Sequence, residues 1–196
     1  DIEWRISELA TIKSLPIKYS FIPDHKNLHL KYSVPAIYSV WEGFVKSTFT
    51  IYSRHLNTLS IGRDEIATSL LTHRLDSECK FNNPRTTFES KKRLVEIIDS
   101  LLEDKISFKP GISTESNVNF KVLNKILERF CIIPVSKSYE KGLNKLLQFR
   151  NIIAHGENAL SVDVTHVTEF ISIIENLMWD IVINIENCEK TKTYLK

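Results

Sequence analysis

The residues with the clearest chemical possibility lie in one stretch, Gln148-Phe149-Arg150-Asn151-Ile152-Ile153-Ala154-His155-Gly156-Glu157. Arg150 offers a rigid cationic fork that matches phosphate oxygens and can hold charge developing on them. His155 offers a side chain type that takes and gives protons near neutral pH. RNA carries its own nucleophile, the 2′-hydroxyl, so a base, an acid and a cation suffice for its cleavage and no metal is required. On a continuous helix, residues five apart differ in direction by roughly 140°. Arg150 and His155 therefore cannot share one narrow face, but they can line two walls of a groove at a helix end, especially if a second subunit closes it. The structural alternative is an Arg that complements the helix dipole and a His that caps the last turn. Spacing alone does not separate the two. The context favours chemistry: Arg-Asn, an apolar middle, Ala-His-Gly, a loop, then a long amphipathic helix.

These residues need a helix that ends where they stand. Leu143, Leu146, Leu147, Phe149, Ile152 and Ile153 predict one from near Ser138, stopping near Gly156, a usual residue just past a helix end. The last helix is predicted over about Asp163–Cys188, with Val167, Phe170, Ile171, Ile174, Leu177, Met178, Ile181 and Ile185 as its apolar stripe, followed by a polar, frayed tail from Glu189 to Lys196. Upstream, a helix is predicted over residues 3–15, and Pro16 and Pro23 bracket a loop. The next runs from about Ser33 to Leu56, with Pro35 in its first turn; a start near Asn27 would put Pro35 inside it as a kink. Further helices are expected over Asp64–Cys79 and Thr87–Glu103, the latter with Phe88, Leu94, Val95, Ile98 and Leu101 inward. Lys105–Glu115 reads as a loop. A fifth helix follows, capped by Ser116 or Asn117, with Val122, Leu123, Ile126, Leu127 and Phe130 on its apolar side. The expected architecture is an all-α helical bundle with two main helical pairs, a single domain over residues 1–196 with its core at about 28–187.

Composition agrees with this. Among 196 residues only 5 are Gly and 6 Pro, too few for a turn-rich β fold, and 42% are hydrophobic, enough for a real core. A net charge of +2 leaves room for a local basic groove and no more. Cys79, Cys131 and Cys188 are too widely spaced for a Cys-x-x-Cys motif and odd in number, which suits a reducing, cytoplasmic setting. The most apolar stretch, Ile171–Ile185, is interrupted by Glu175, Asn176, Asp180 and Asn184. A membrane span needs about 20 apolar residues, so no membrane association is expected.

Other side chains have plainer roles open to them beside functional ones. Glu42, beside Trp41 in an apolar helix, could hold the fork of Arg150 or simply face solvent. His25 and His29 have an i, i+4 spacing that can clamp a metal, but only Asp24 stands near as a third ligand, so no metal site is assigned. His55, His73 and His166 are isolated and read as surface or helix-end residues. Lys91-Lys92-Arg93 and the stripe Lys121, Lys125, Arg129 could follow an RNA backbone, and a solvated face is the simpler reading. Trp41 and Trp179 read as core anchors.

Arg150–Gly156 resembles the signature of the HEPN superfamily, an Arg followed four to six residues later by a His on a helical bundle. Tyr38-Ser39-Val40-Trp41-Glu42-Gly43-Phe44-Val45-Lys46 and Ser116-Asn117-Val118-Asn119-Phe120 are similar to segments of a bacterial branch of stand-alone HEPN proteins. The similarity covers about residues 28–187. The resemblance implies a homodimeric, metal-independent and cofactor-free ribonuclease acting on RNA, a toxin or antiviral defence component, with an antitoxin or regulatory protein as a further partner. It implies catalytic roles for Arg150 and His155, drawn from both subunits into one cleft, and a role for Asn151 in orienting phosphate or His. Some toxin members carry a Tyr two residues after the His, where a partner enzyme attaches nucleotides; here that position is Glu157, so this mode of control is not implied. The family also contains non-catalytic dimerisation and RNA-binding modules of larger systems, which is the main alternative. A purely structural helical adaptor is the third.

Overall fold

The computed structural model describes residues 1–79, 87–100, 106–112, 114, 117–156 and 160–196. Its order is α1 (Ile2–Lys18), α2 (Pro23–Thr58), α3 (Thr68–Cys79), α4 (Phe88–Ser100), α5 (Phe120–Arg129), a 3-10 turn at Lys137–Tyr139, α6 (Glu140–Ala154) and α7 (Val164–Thr191). Among the described residues there is no strand, only one isolated bridge between Ile66 and Leu195. The fold is all-α. No described helix is long and apolar enough to cross a membrane.

The chain divides into two compact units. The first comprises Asp1–Thr48, Ser113–Asn124 and Val135–Ile183. Its core gathers Val34, Ile37, Trp41, Phe44 and Val45 of α2 with Leu143 and Leu146 of α6 and Phe170, Ile174, Leu177 and Met178 of α7, all buried. A glycine brings α6 and α7 close: a Cβ at Gly142 would collide with Ile173 Cδ1. Another, Gly43, leaves room for the buried guanidinium of Arg5, whose Nη1 would lie 2.9 Å from an added Cβ and donates to the Val40 carbonyl. The second unit comprises Phe49–Ile112, Lys125–Pro134 and Asn184–Lys196. Its centre is Phe130, packed by Phe49, Tyr52 and His73 with ring centroids 5.1, 5.9 and 4.7 Å away.

Helices α6 and α7 lie where periodicity puts them, and Asp163 caps α7 by accepting the His166 N–H at 2.8 Å. Elsewhere the structure departs from the sequence reading. Helix α1 runs through Pro16, and α2 starts at Pro23 and runs through Pro35. The bond that Pro35 removes is offset by burial of Leu30, Val34 and Ile37 on either side of it. Helix α3 begins four residues later than expected. The backbone before it is already engaged, with Lys196 N–H donating to the Glu65 carbonyl and Ala67 N–H to the Tyr194 carbonyl. The same bonds, with Tyr194 buried, make the tail ordered rather than frayed. On α4, Phe88 is 82% exposed and Val95 and Ile98 are exposed too, while Ile97 is the buried residue; Leu101 lies outside the described residues. Trp179 is 46% exposed and is no core anchor, unlike the fully buried Trp41.

His73 also departs from expectation. It is buried at 7% exposure, its Nδ1 lacks a hydrogen-bond partner, and its ring stacks on Phe108 and lies tilted against Phe130. Burial lowers its pKa below the ordinary value of 6.5; the Arg129 charge lowers it further and the Asp76 charge opposes both. The unfolded chain therefore binds this proton more readily than the folded one. The contribution is fully present above pH 6.5 and is lost as pH falls through the depressed folded value. Urea unfolding between pH 7.5 and 5 should show His73 contributing a slope of up to about 1.4 kcal/mol per pH unit on the acid side. His73→Leu should remove that part of the slope, and an unchanged slope would refute it.

Candidate active site at the end of α6

Arg150 stands on the last turn but one of α6 and is half-buried. Its Nη1 donates to Asn151 Oδ1 at 2.8 Å and reaches Asn117 Oδ1 at 3.5 Å. Its guanidinium carbon lies 4.8 Å from the ring centroid of Tyr38, a cation–π contact. One nitrogen is thus tied back by amide oxygens, and the cation sits over an aromatic ring. No described residue accepts from Nε or Nη2, the edge that pairs with a phosphate or carboxylate in a two-pronged contact.

The support for this arrangement comes from α2. Tyr38, 2% exposed, accepts the Val118 N–H on its hydroxyl at 2.8 Å, and the Trp41 indole donates to the Val118 carbonyl at 3.0 Å. Both polar groups of that peptide segment are therefore held by side chains three apart on one helix face. The following residue, Asn119, caps α5 by accepting the Val122 N–H at 2.9 Å, so the cap is not Asn117, while Ser116 lies outside the described residues. Asn117 is left free to meet Arg150. Burial holds the Tyr38 phenol above its ordinary pKa; the Val118 N–H lowers it, the Glu42 charge raises it and the Arg150 charge lowers it.

Glu42 does not bind Arg150. Its Oε1 accepts from Lys46 at 2.8 Å and from the buried Thr114 hydroxyl at 3.1 Å, and the Thr114 carbonyl in turn accepts the Asn117 N–H at 2.9 Å. Glu42 thus braces the segment that presents Asn117. The sequence reading gave Tyr38 and Asn117 no part in the site: Asn117 stood only as a candidate helix cap, and both only within the segments that resemble HEPN proteins. The available signal was Tyr38-x-x-Trp41, two aromatics with polar tips on one face of an apolar helix.

His155 is the residue that ends α6. Its N–H donates to the Asn151 carbonyl at 3.0 Å, and the Gly156 N–H donates to the Ile153 carbonyl at 3.1 Å. Its side chain is exposed and its ring makes no hydrogen bond among the described residues. Gly156 has φ +77, the left-handed conformation that closes a helix end. The chain therefore turns away directly after His155. Glu157 lies outside the described residues.

The other candidates take plainer places. His29 Nε2 is 3.0 Å from the Ile12 carbonyl and 3.3 Å from the Ser33 hydroxyl. His25 and His29 line an open pocket of about 400 Å³ with Ile12, Leu28 and Tyr32, a lining that includes neither Arg150 nor His155. His55 pairs with Glu189 and His166 with Asp163. Arg129 pairs with Asp76 at 2.7 Å, which removes one cation from the Lys121–Lys125–Arg129 stripe.

The helix end itself can be tested. Gly156→Ala should cost about 1–2 kcal/mol in urea unfolding, because a Cβ is strained at positive φ, and Gly156→Asn should cost less. His155→Ala should stay within about 0.5 kcal/mol of the wild type, as expected of an exposed side chain. Equal stability for Gly156→Ala and the wild type would refute the left-handed turn.

No curated protein and no solved structure matches the chain. A family model described as HEPN_MAE_28990-like HEPN matches residues 1–194. That match covers nearly the whole chain and includes both α2 and the Arg150–His155 segment. The protein therefore belongs to the HEPN_MAE_28990-like HEPN family.

Proposed function

We propose that the protein is a metal-independent endoribonuclease that acts as a homodimer, with Arg150 and His155 as its catalytic residues and a role in a toxin or antiviral defence system of the cytoplasm. The observation that carries this reading is the state of Arg150. Its guanidinium is braced on one nitrogen and one face, and its two-pronged edge faces no protein acceptor among the described residues, five residues before an exposed His at the helix end. In the reaction, the 2′-oxygen attacks phosphorus and its proton goes to a base. The bond to the 5′-oxygen breaks, and that oxygen takes a proton from an acid. The products are a 2′,3′-cyclic phosphate and a 5′-hydroxyl. One subunit has a single His155, so a two-fold axis beside the α6 end would bring two imidazoles and two guanidinium groups to one scissile bond. Arg150 would hold the charge on the non-bridging oxygens, and Asn151 would fix its orientation. An antitoxin or regulatory protein would restrain such an activity.

The test is RNA digestion in excess EDTA with end-group analysis of the products. Wild type should cleave and leave cyclic phosphate ends. His155→Ala should slow cleavage by about 10²–10⁴-fold, the usual share of proton transfer, with little change in affinity. Arg150→Ala should lose both affinity and rate. Activity that disappears with EDTA and returns with Mg²⁺ would overturn the mechanism. Tight RNA binding with no cleavage would point to a non-catalytic RNA-binding module instead.

A further inference from the structure

The remaining polar features around Arg150 concern how its edge is aimed. An arginine side chain has many rotamers, and an unbraced one presents no particular edge. Here three groups restrict it. Asn151 and Asn117 offer amide oxygens to the same nitrogen, Nη1, and the guanidinium carbon sits over the Tyr38 ring. Asn151 is the next residue on α6 and moves with Arg150. Tyr38 and Asn117 are separate from α6 in sequence and fixed independently of it. They are also fixed to each other: the Tyr38 hydroxyl accepts the N–H of Val118, the neighbour of Asn117. Asn117 itself is held by its N–H to the Thr114 carbonyl and by its carbonyl to the Asn119 N–H at 3.0 Å.

We propose that Tyr38 and Asn117 are positioning residues that aim the Nε–Nη2 edge of Arg150 at an RNA phosphate. Neither touches the phosphate; both act through the guanidinium. The proposal rests on the reading of Arg150 as the phosphate-binding group. It assigns the ring and the hydroxyl of Tyr38 different tasks: the ring supports the cation, and the hydroxyl secures the segment carrying Asn117. It also accounts for a tyrosine at this buried place, since a phenylalanine would support Arg150 but leave the Val118 N–H without its partner.

The experiment is a set of mutant cycles on the full chain. Binding of a 2′-O-methyl RNA oligonucleotide, which lacks the attacking hydroxyl, is followed by fluorescence anisotropy, with unfolding midpoints recorded on the same samples. Asn117→Ala and Tyr38→Leu should each weaken binding about fivefold, and neither should weaken it further in an Arg150→Ala background, because coupled residues are non-additive. Tyr38→Phe should lose less than Tyr38→Leu. If Tyr38→Leu does not fold, the Asn117 cycle decides alone. Arg150→Ala weakening binding while Asn117→Ala has no effect, or the same effect with and without Arg150, overturns this proposal and leaves the role of Arg150 standing. Arg150→Ala with undiminished binding overturns the underlying reading as well.

Discussion

A peptide taken out of water must find partners for both its N–H and its C=O. At the fully buried Val118 those partners are the Tyr38 hydroxyl and the Trp41 indole, both from α2. Leaving either group unpaired would cost about 1–3 kcal/mol, so residues 117–119 are committed to this helix and cannot join α5. Three consequences follow. Helix α5 starts at Phe120 under an Asn119 cap. Asn117 is delivered to the end of α6. The ring whose hydroxyl makes the first bond is also the surface on which Arg150 rests. The aromatic face of one helix thus organises a loop, a helix start and the candidate site together.

The parts of the molecule legible in the sequence are those where a pattern has one physical meaning. The stripe of α7 from Val167 to Ile181 repeats at helical period and is buried as read. Gly156 after Ala-His marks a helix end because few residues tolerate its positive φ. Arg150 and His155 stand out because an apolar helix gains nothing from them as core residues. The all-α class follows from the same periodicity.

What stayed hidden depends on partners that periodicity cannot name. An amphipathic pattern shows that a helix has an apolar side, not how that side is turned, and α4 buries Ile97 while Phe88, Val95 and Ile98 face outward. Pro35 reads locally as a boundary, yet the packing of Leu30, Val34 and Ile37 outweighs the lost hydrogen bond. His73 resembles any isolated histidine until Phe49, Tyr52, Phe108 and Phe130 are seen to gather around the same place. Glu42, read as either a brace for the fork of Arg150 or a solvated charge, holds Thr114 instead, one step along the same chain of contacts, because a carboxylate on α2 has Lys46 and Thr114 within closer reach.

The tethering of Arg150 Nη1 to Asn151, with Tyr38 beneath the fork, has a consequence for selectivity among anions. A free arginine gives up about 2 kcal/mol of rotamer entropy when it is immobilised. Here folding has already met much of that cost, so an oxyanion with two oxygens at this edge would gain two hydrogen bonds for little additional ordering. A spherical halide has no pair of oxygens to meet the fork and collects only the charge. The site should therefore ignore chloride at cellular concentration far better than a lysine in the same place would, and Arg150→Lys, although it conserves the charge, would surrender the shape that makes the distinction.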